Sequence, residues 1–251
     1  MASQPPPAIF CRKRRAAKWA RLVSRSQVPA AADYLLRDAV DDVVERIDFM
    51  QTSPHKALII GDWAGLLTSV LKARGTDVES RPIGAFDEER PIESGPYDLV
   101  IHLLGLGSVN DLPGALIHKK HALAEGGLMI ATFPGAGSLP KLREAMLAAD
   151  GDRPAARIHP MVDNQSAAGL LQRAGFKRQV VDSHTLSVRF SSLDTLVSDL
   201  RDHGLNNALK NAAPHIGRAG RDRAERAFNA LADIDGKVTE TFEIVTLTGW
   251  K

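Results

Sequence analysis

The chain predicts an α/β fold, a mostly parallel sheet held between two layers of helix. Two observations carry this: a strand–helix–strand unit over Tyr97–Phe133, and short apolar runs alternating with amphipathic stretches on either side of it. Asp98–Leu104 is apolar after its first residue apart from His102, and is short enough for a buried parallel strand. Asn110-Asp111-Leu112-Pro113 places side-chain oxygens just before a proline, which signals a helix start. Ala115, Leu116, His118, Lys119 and Leu123 follow at helical spacing, Gly126-Gly127 is expected to end the helix, and Leu128–Phe133 is a second apolar run. Such units are right-handed and place binding sites beyond the carboxyl ends of their strands.

The remaining elements follow in order. After the Pro-rich Gln4–Pro7, a helix is predicted over about Lys13–Val23. A second, from Ala32 to about Asp48, carries Leu35, Leu36, Ala39, Val43, Val44 and Ile47 on one stripe, and Thr52-Ser53-Pro54 breaks it. Ala57–Ile60 is the first strand, Leu66–Lys72 the next helix and Asp77–Ser80 a weak second strand. Residues 81–96, with Pro82, Gly84, Pro91, Gly95 and Pro96, read as loop. Beyond the central unit, helices are expected at Pro140–Ala149 and Asn164–Ala174. Strands are expected at Lys177–Val181 and Thr241–Thr248, with helices at Leu193–His203, Asn206–Ala212 and Asp222–Asp233 between them. The organisation is a basic N-terminal arm with helices over 1–52, a core over 53–190, a helical lid over 191–240 and a final core strand over 241–251.

At 251 residues, with 44% hydrophobic and 25% charged residues, the chain can bury a sizeable core. Nothing approaches ~18 consecutive apolar residues, so no membrane span is expected. The single cysteine, Cys11, excludes an internal disulfide and fits a reducing compartment. His118 and His121 lack further ligands nearby and read as solvated helix-face residues rather than a metal site. The net charge of +2 hides an asymmetry: residues 1–32 hold seven Lys/Arg and no acid, leaving 25 basic against 30 acidic residues in the rest. The arm reads as part of the folded protein, with a cleaved transit peptide as the alternative. Its Arg12-Lys13-Arg14-Arg15 run suits either a solvated helix face or an acidic partner; nucleic acid is the less favoured partner.

Tyr97-Asp98-Leu99-Val100, then Val109-Asn110-Asp111-Leu112-Pro113, then Leu123 with Gly126-Gly127 resembles the middle of an S-adenosylmethionine-dependent methyltransferase. The branch it is similar to contains the biotin-pathway malonyl-carrier-protein methyltransferase and the mitochondrial complex I assembly factors. Gly169–Phe176, Asp199-Leu200-Arg201 with Gly204 and Asn207, the ending Thr248-Gly249-Trp250-Lys251, and Ile9-Phe10, Arg12, Trp19 and Tyr34–Arg37 at the start extend the likeness over nearly the whole chain. The resemblance implies a Rossmann-like methyltransferase fold, S-adenosylmethionine as cofactor, and a protein or carrier-protein acceptor. It implies a bacterial cytoplasm, or alternatively a mitochondrial matrix, as the compartment.

It also implies where the cofactor sits. The family pattern, acid-x-Gly-x-Gly-x-Gly, falls on Ile59-Ile60-Gly61-Asp62-Trp63-Ala64-Gly65. Gly61 and Gly65 keep the outer glycines, while Ile59 stands at the acid and Trp63 at the middle glycine. An indole covers ~150–250 Å², and at a close-approach position it takes space meant for the ligand. Losing the acid removes a charge-assisted bond worth ~1.5–3 kcal/mol; Asp62 is its nearest substitute. Glu79, with Asp77 behind it, is the candidate for the ribose hydroxyls about 20 residues on, and Leu103 lines the site from the next strand. Only 17 residues separate Glu79 from Tyr97, so a family helix and strand are expected to be missing, and Gly107-Ser108 stands where the family often has His-Trp.

Other candidates read as structural first. Gly135-Ala136-Gly137-Ser138 offers backbone N–H groups for an anion at a helix start, with loop and cap as the favoured reading. His102 is expected as a core histidine bonded to backbone, and His159-Pro160 as a turn lining the substrate face. Asp199, Arg201 and Asn207 either shape a pocket or cap and pair helices. Two functions remain open: a methyltransferase with an altered cofactor motif, and a non-catalytic assembly protein on the same fold.

Overall fold

The computed structural model describes residues 8–84 and 87–251; the Pro-rich Gln4–Pro7 lies outside them. Two helices lead, α1 (Arg12–Arg25) and α2 (Tyr34–Phe49), followed by β1 (Lys56–Ile60), α3 (Leu66–Ala73), β2 (Asp77–Arg81) and β3 (Tyr97–Leu103). A 3-10 turn at Leu106–Ser108 leads to α4 (Leu112–Ala122), β4 (Leu123–Pro134), α5 (Pro140–Asp150) and α6 (Asn164–Ala174). The chain closes with β5 (Lys177–Phe190), α7 (Leu193–Asp202), α8 (Arg218–Asn229) and β6 (Val238–Trp250). The strand order is β2-β1-β3-β4-β6-β5. β1 pairs parallel with β2 and β3, β3 parallel with β4, and β6 runs antiparallel to both β4 and β5. Chain order therefore reverses between β1 and β3, which opens a crevice beyond their carboxyl ends.

Alternating side chains feed two cores. Ile59, Leu99, Ile101, Leu103 and Ile130 face α2, α3, α5, α7 and α8, and Leu58, Ile60, Val100, Met129 and Ala131 face α4 and α6. The α2 stripe buries Leu35, Leu36, Ala39, Val40, Val43 and Ile47, at about 1.5–3 kcal/mol per fully buried aliphatic side chain. Asp111 caps α4 by accepting from Gly114 N at 2.9 Å, as its place before Pro113 suggests. β2 leads straight into the 82–96 loop, with no strand beyond it among the described residues.

Three expectations need correction. Gly126-Gly127 does not end α4, which stops at Ala122; the pair forms a bulge in β4, where Tyr97 opposes Leu123 but Leu99 opposes Leu128. Gly126 has φ +75°, and a Cβ on Gly127 would lie 2.9 Å from the Ala124 carbonyl oxygen. Residues 206–212 are not helical. Asn207 Oδ1 accepts Leu209 N at 2.8 Å, a local bond that competes with a helix. Leu209 then bridges to Phe10, with Cys11 N donating to Ala208 O and Lys210 N to Ile9 O, both at 2.8 Å. Finally, β5 runs to Phe190 rather than Val181, because β6 pairs with it along that length.

Candidate functional site

The turn from β1 into α3 holds the glycines that the sequence singles out, but the chain itself uses them. Gly61 has φ +92°, and a Cβ there would collide with the carbonyl oxygen of Leu103 across the β1–β3 pair. Leu103 thus meets Gly61 through its backbone, while its side chain belongs to the core on the α2 side. Gly65, at φ +69°, has open space around it, so conformation alone asks for glycine there. Asp62 spends both carboxylate oxygens on the start of α3, Oδ1 accepting from Leu66 N at 2.9 Å and Oδ2 from Thr68 N at 2.7 Å. Ile59 is fully buried core. Trp63 is half-buried and packs on the cluster of Trp19, Leu22 and Ile83.

Glu79 lies two residues short of the end of β2, where Arg81 stands instead. Its carboxylate accepts from the Tyr97 hydroxyl, from Arg81 Nε at 2.7 Å and from Ser94 Oγ at 3.4 Å. Burial pushes its pKa up, but the bonds from Tyr97 and Arg81 outweigh this and hold it below the usual carboxylate range. Glu79 thus braces the end of the 82–96 loop against β3.

Ile83 and Trp19 give no sign in the sequence of what they do. Ile83 Cδ1 lies 3.6 Å from where a Gly61 Cβ would be and 2.9 Å from where a Gly105 Cβ would be, so it sits in the crevice over β1 and β3. Trp19, 2% exposed, covers it from α1. Two glycines of positive φ make room for the indole: Gly84 at +78° and Gly204 at +64°, each too close to Trp19 for a Cβ. Arg25 pairs with Asp202 and bonds Ser198 at 2.9 Å, tying α1 to α7.

Beside the crevice lies a buried charge cluster. Lys18 Nζ donates to Ser108 Oγ at 2.9 Å, and Arg15 Nη1 donates to Glu88 Oε2 at 2.7 Å. Lys119, fully buried on α4, reaches only the Ala115 carbonyl of its own helix at 3.4 Å. Burial, helped by Arg15, lowers Lys18 to about 7, while Glu88 pulls the other way. Lys119 falls to about 8 for the same cause. His102 is fully buried and lowered well below its ordinary value by burial and by Lys119 and Arg15. The expected backbone bond to it is not formed: neither ring nitrogen has a partner. His159 is buried edge-on against Phe10 at 5.5 Å between ring centroids, and burial lowers it to about 3.

The Gly135–Ser138 turn is not a vacant anion site, since the chain supplies the acids. Glu243 Oε2 accepts from Gly137 N at 2.7 Å, and Glu240 accepts from Lys141 N and Leu142 N at 3.3 and 2.8 Å. Asn207 Nδ2 bonds the carbonyls of Ala156 and Arg157 at 2.9 and 2.8 Å, a pairing role. Two of the four basic residues in the arm run are engaged internally, Arg12 with Asp87 and Glu89 and Arg15 with Glu88. No group of three or more metal-ligating side chains occurs among the described residues. An apolar groove of about 310 Å³ lies beyond β3, lined by Phe10, Leu106, Val109, Leu112, Met161 and Leu170 among others.

A mostly parallel sheet with one antiparallel strand, and a glycine turn at the point where its order reverses, defines a Rossmann-like α/β protein. The chain belongs to the methyltransferase domain family, whose model matches residues 15–181. It is 26% identical over 262 residues to the mouse protein "Arginine-hydroxylase NDUFAF5, mitochondrial", covering 95% of this chain and 76% of that one. It is also 26% identical over 261 residues to the malonyl-[acyl-carrier protein] O-methyltransferase of Laribacter hongkongensis, covering 88% and 86%. Among solved structures, the N-methyltransferase NodS of Bradyrhizobium japonicum, in complex with S-adenosyl-L-homocysteine, aligns at 11% identity over 95% of this chain and 98% of that one, with a TM-score of 0.45.

Proposed function

We propose that the chain serves as an assembly or scaffold protein on a methyltransferase fold, with cofactor binding weak or lost, and that it binds a protein or carrier-protein partner. The observation that carries this reading is the filling of the β1–β3 crevice by Ile83 and Trp19, with Trp63 packed against them. Small-molecule cofactor sites are preformed clefts of roughly 300–1,000 Å³. The residues present do not fit S-adenosylmethionine: the acid position is core Ile59, Asp62 caps its own helix, and Glu79 is spent on Tyr97 and Arg81. Gly61 is required by the Leu103 carbonyl whether or not a ligand binds. The domain division at 52, 190 and 240 belongs to this reading, with α1 counted as part of the folded unit.

A second reading, methyl transfer or a related modification of a protein acceptor, draws on the family match over 15–181 and on the apolar groove beside the strand ends. It requires α1 to leave the crevice. The relatives' names point to a carrier protein in one case and to a mitochondrial setting in the other. Respiratory complex I assembly in the matrix is therefore the partner class to test beside a carrier protein in a bacterial cytoplasm. No helix among the described residues is long and apolar enough to cross a membrane.

Calorimetric titration with S-adenosylmethionine and S-adenosylhomocysteine separates the two. The scaffold reading expects no heat up to millimolar ligand from folded protein; micromolar binding of either overturns it in favour of the enzyme.

A further inference from the structure

We propose that Arg15, Lys18 and Lys119 form a binding site for an oxyanion, carboxylate or phosphate, beside the Glu88 carboxylate, which pairs with Arg15 alone. The side chains converge from three elements: α1 supplies Arg15 and Lys18, α4 supplies Lys119, and the 82–96 loop supplies Glu88. Water is largely excluded, with Lys18 4%, Lys119 0%, Glu88 1% and His102 0% exposed. Glu88 pairs with Arg15 alone, which leaves two buried lysines without a carboxylate within ion-pair distance among the described residues, in a region where charges normally come paired.

The acceptor supply is short on every side. Arg15 Nη1 donates to Glu88 Oε2 at 2.7 Å, while its Nη2 stands 2.5 Å from Oε1 without forming a hydrogen bond, so Nε and Nη2 of Arg15 also lack acceptors. The Lys18 ammonium has Ser108 Oγ and the face of the Trp19 ring, 4.3 Å from its centroid. Lys119 has only a long bond to a carbonyl already used by its own helix, although each lysine carries three donors. His102, close enough to feel the charges of Lys119 and Arg15, has no partner at either nitrogen. An oxyanion supplies what is missing, several acceptor oxygens and negative charge within one small group. A sulfonium centre would meet repulsion from the same set. The inference stands apart from the scaffold reading, since a filled crevice and an oxyanion site are separate features.

The test is thermal unfolding of the full chain in sodium malonate, sodium phosphate and sodium chloride at matched ionic strength. Wild type, Glu88→Gln and Lys119→Met are compared. Glu88→Gln removes the resident charge and keeps its shape, so malonate or phosphate at tens of millimolar is expected to raise its melting temperature by about 4 °C over chloride. Wild type should gain less. Lys119→Met should keep only the general effect of excluded salts. A specific gain with malonate alone assigns a carboxylate ligand, with phosphate alone a phosphate, and with both an unselective oxyanion site. Equal gains in Glu88→Gln and Lys119→Met overturn the proposal. Should Lys119→Met not fold, Lys18→Met takes its place. Titration calorimetry of malonate and phosphate into folded wild type and Glu88→Gln then reads binding directly, and no heat in either protein overturns the proposal.

Discussion

The Trp19 indole lies directly on the backbone of Gly204, so that a Cβ on that glycine would sit 2.7 Å from Cε3. The glycine has φ +64°, and the ring is almost fully buried between it and Gly84. Gly204→Ala is therefore expected to cost about 2–4 kcal/mol, combining left-handed strain with overpacking. In a Trp19→Ala background the same substitution should cost at least about 1 kcal/mol less. Urea denaturation of the four proteins measures this, and an equal cost in both backgrounds would show that the ring does not press on Gly204.

Clearing the crevice should restore ligand access more effectively than repairing the glycine turn. Trp63→Gly with Ile59→Asp looks from the sequence like a restoration of the cofactor motif. Ile59 is fully buried among apolar neighbours, however, and an aspartate there pays a desolvation cost of several kcal/mol. Trp19→Ala with Ile83→Ala is expected to bind S-adenosylhomocysteine at least about ten-fold better than wild type, a gain of about 1.4 kcal/mol. Unchanged affinity in a folded double variant would mean that the crevice filling is not what limits binding.

Stability should rise with pH above neutrality. Folded Lys18 titrates near 7 and Lys119 near 8, both below the ordinary 10.5, because burial disfavours their charged forms. Between those values and 10.5 the unfolded chain holds protons that the folded chain has released, so raising the pH favours folding. Arg15 and Glu88 face both lysines, with His159 near Lys18 and His102 near Lys119. From pH 7 to pH 9 the gain is on the order of 3 kcal/mol. Denaturant midpoints across that range check it, and Lys18→Met with Lys119→Met should flatten the profile.

Glu240 caps a helix from a distant strand. Its buried carboxylate receives the N–H groups of Lys141 and Leu142 at the start of α5, where the N-cap residue Leu139 offers no side-chain bond. Glu240→Ala leaves those donors without an acceptor and should cost about 2–3 kcal/mol. Glu240→Gln, which keeps one oxygen, should recover part of the loss in the same thermal or chemical melt.

The sequence made most of the sheet legible because buried strands and half-buried helices leave periodic marks, as at Leu35–Ile47 and Asp98–Leu103. It misplaced Asn206–Ala212 because the pairing of Leu209 with Phe10 spans nearly the whole chain, and no local pattern reports it. It stopped β5 at Val181 because the polar run Asp182-Ser183-His184-Thr185 follows, although Leu186, Val188 and Phe190 alternate with Ser187 and Arg189 beyond it, and β6 sets the full length. Gly61, Asp62, Trp63 and Gly65 lie on the one turn between β1 and α3. Their employment was not visible: Asp62 turns to Thr68 and Gly61 to Leu103, both matters of tertiary geometry. Trp19 and Ile83 went unnoticed as crevice residues because single apolar residues far apart carry no spacing. One available signal was Gly84, a glycine outside any motif, together with Gly204, and another was Glu88 beside an arm of uncompensated Arg and Lys.

β6 lies between β4 and β5 in the sheet, yet it follows both in sequence. During synthesis β5 emerges with no neighbour to pair with, and must wait until β6 arrives to bridge it to β4. The acids that settle the start of α5, Glu240 and Glu243, arrive on the same strand. Docking of this one segment therefore completes the sheet and quenches an exposed helix start together, which makes it a natural commitment step for the nascent chain.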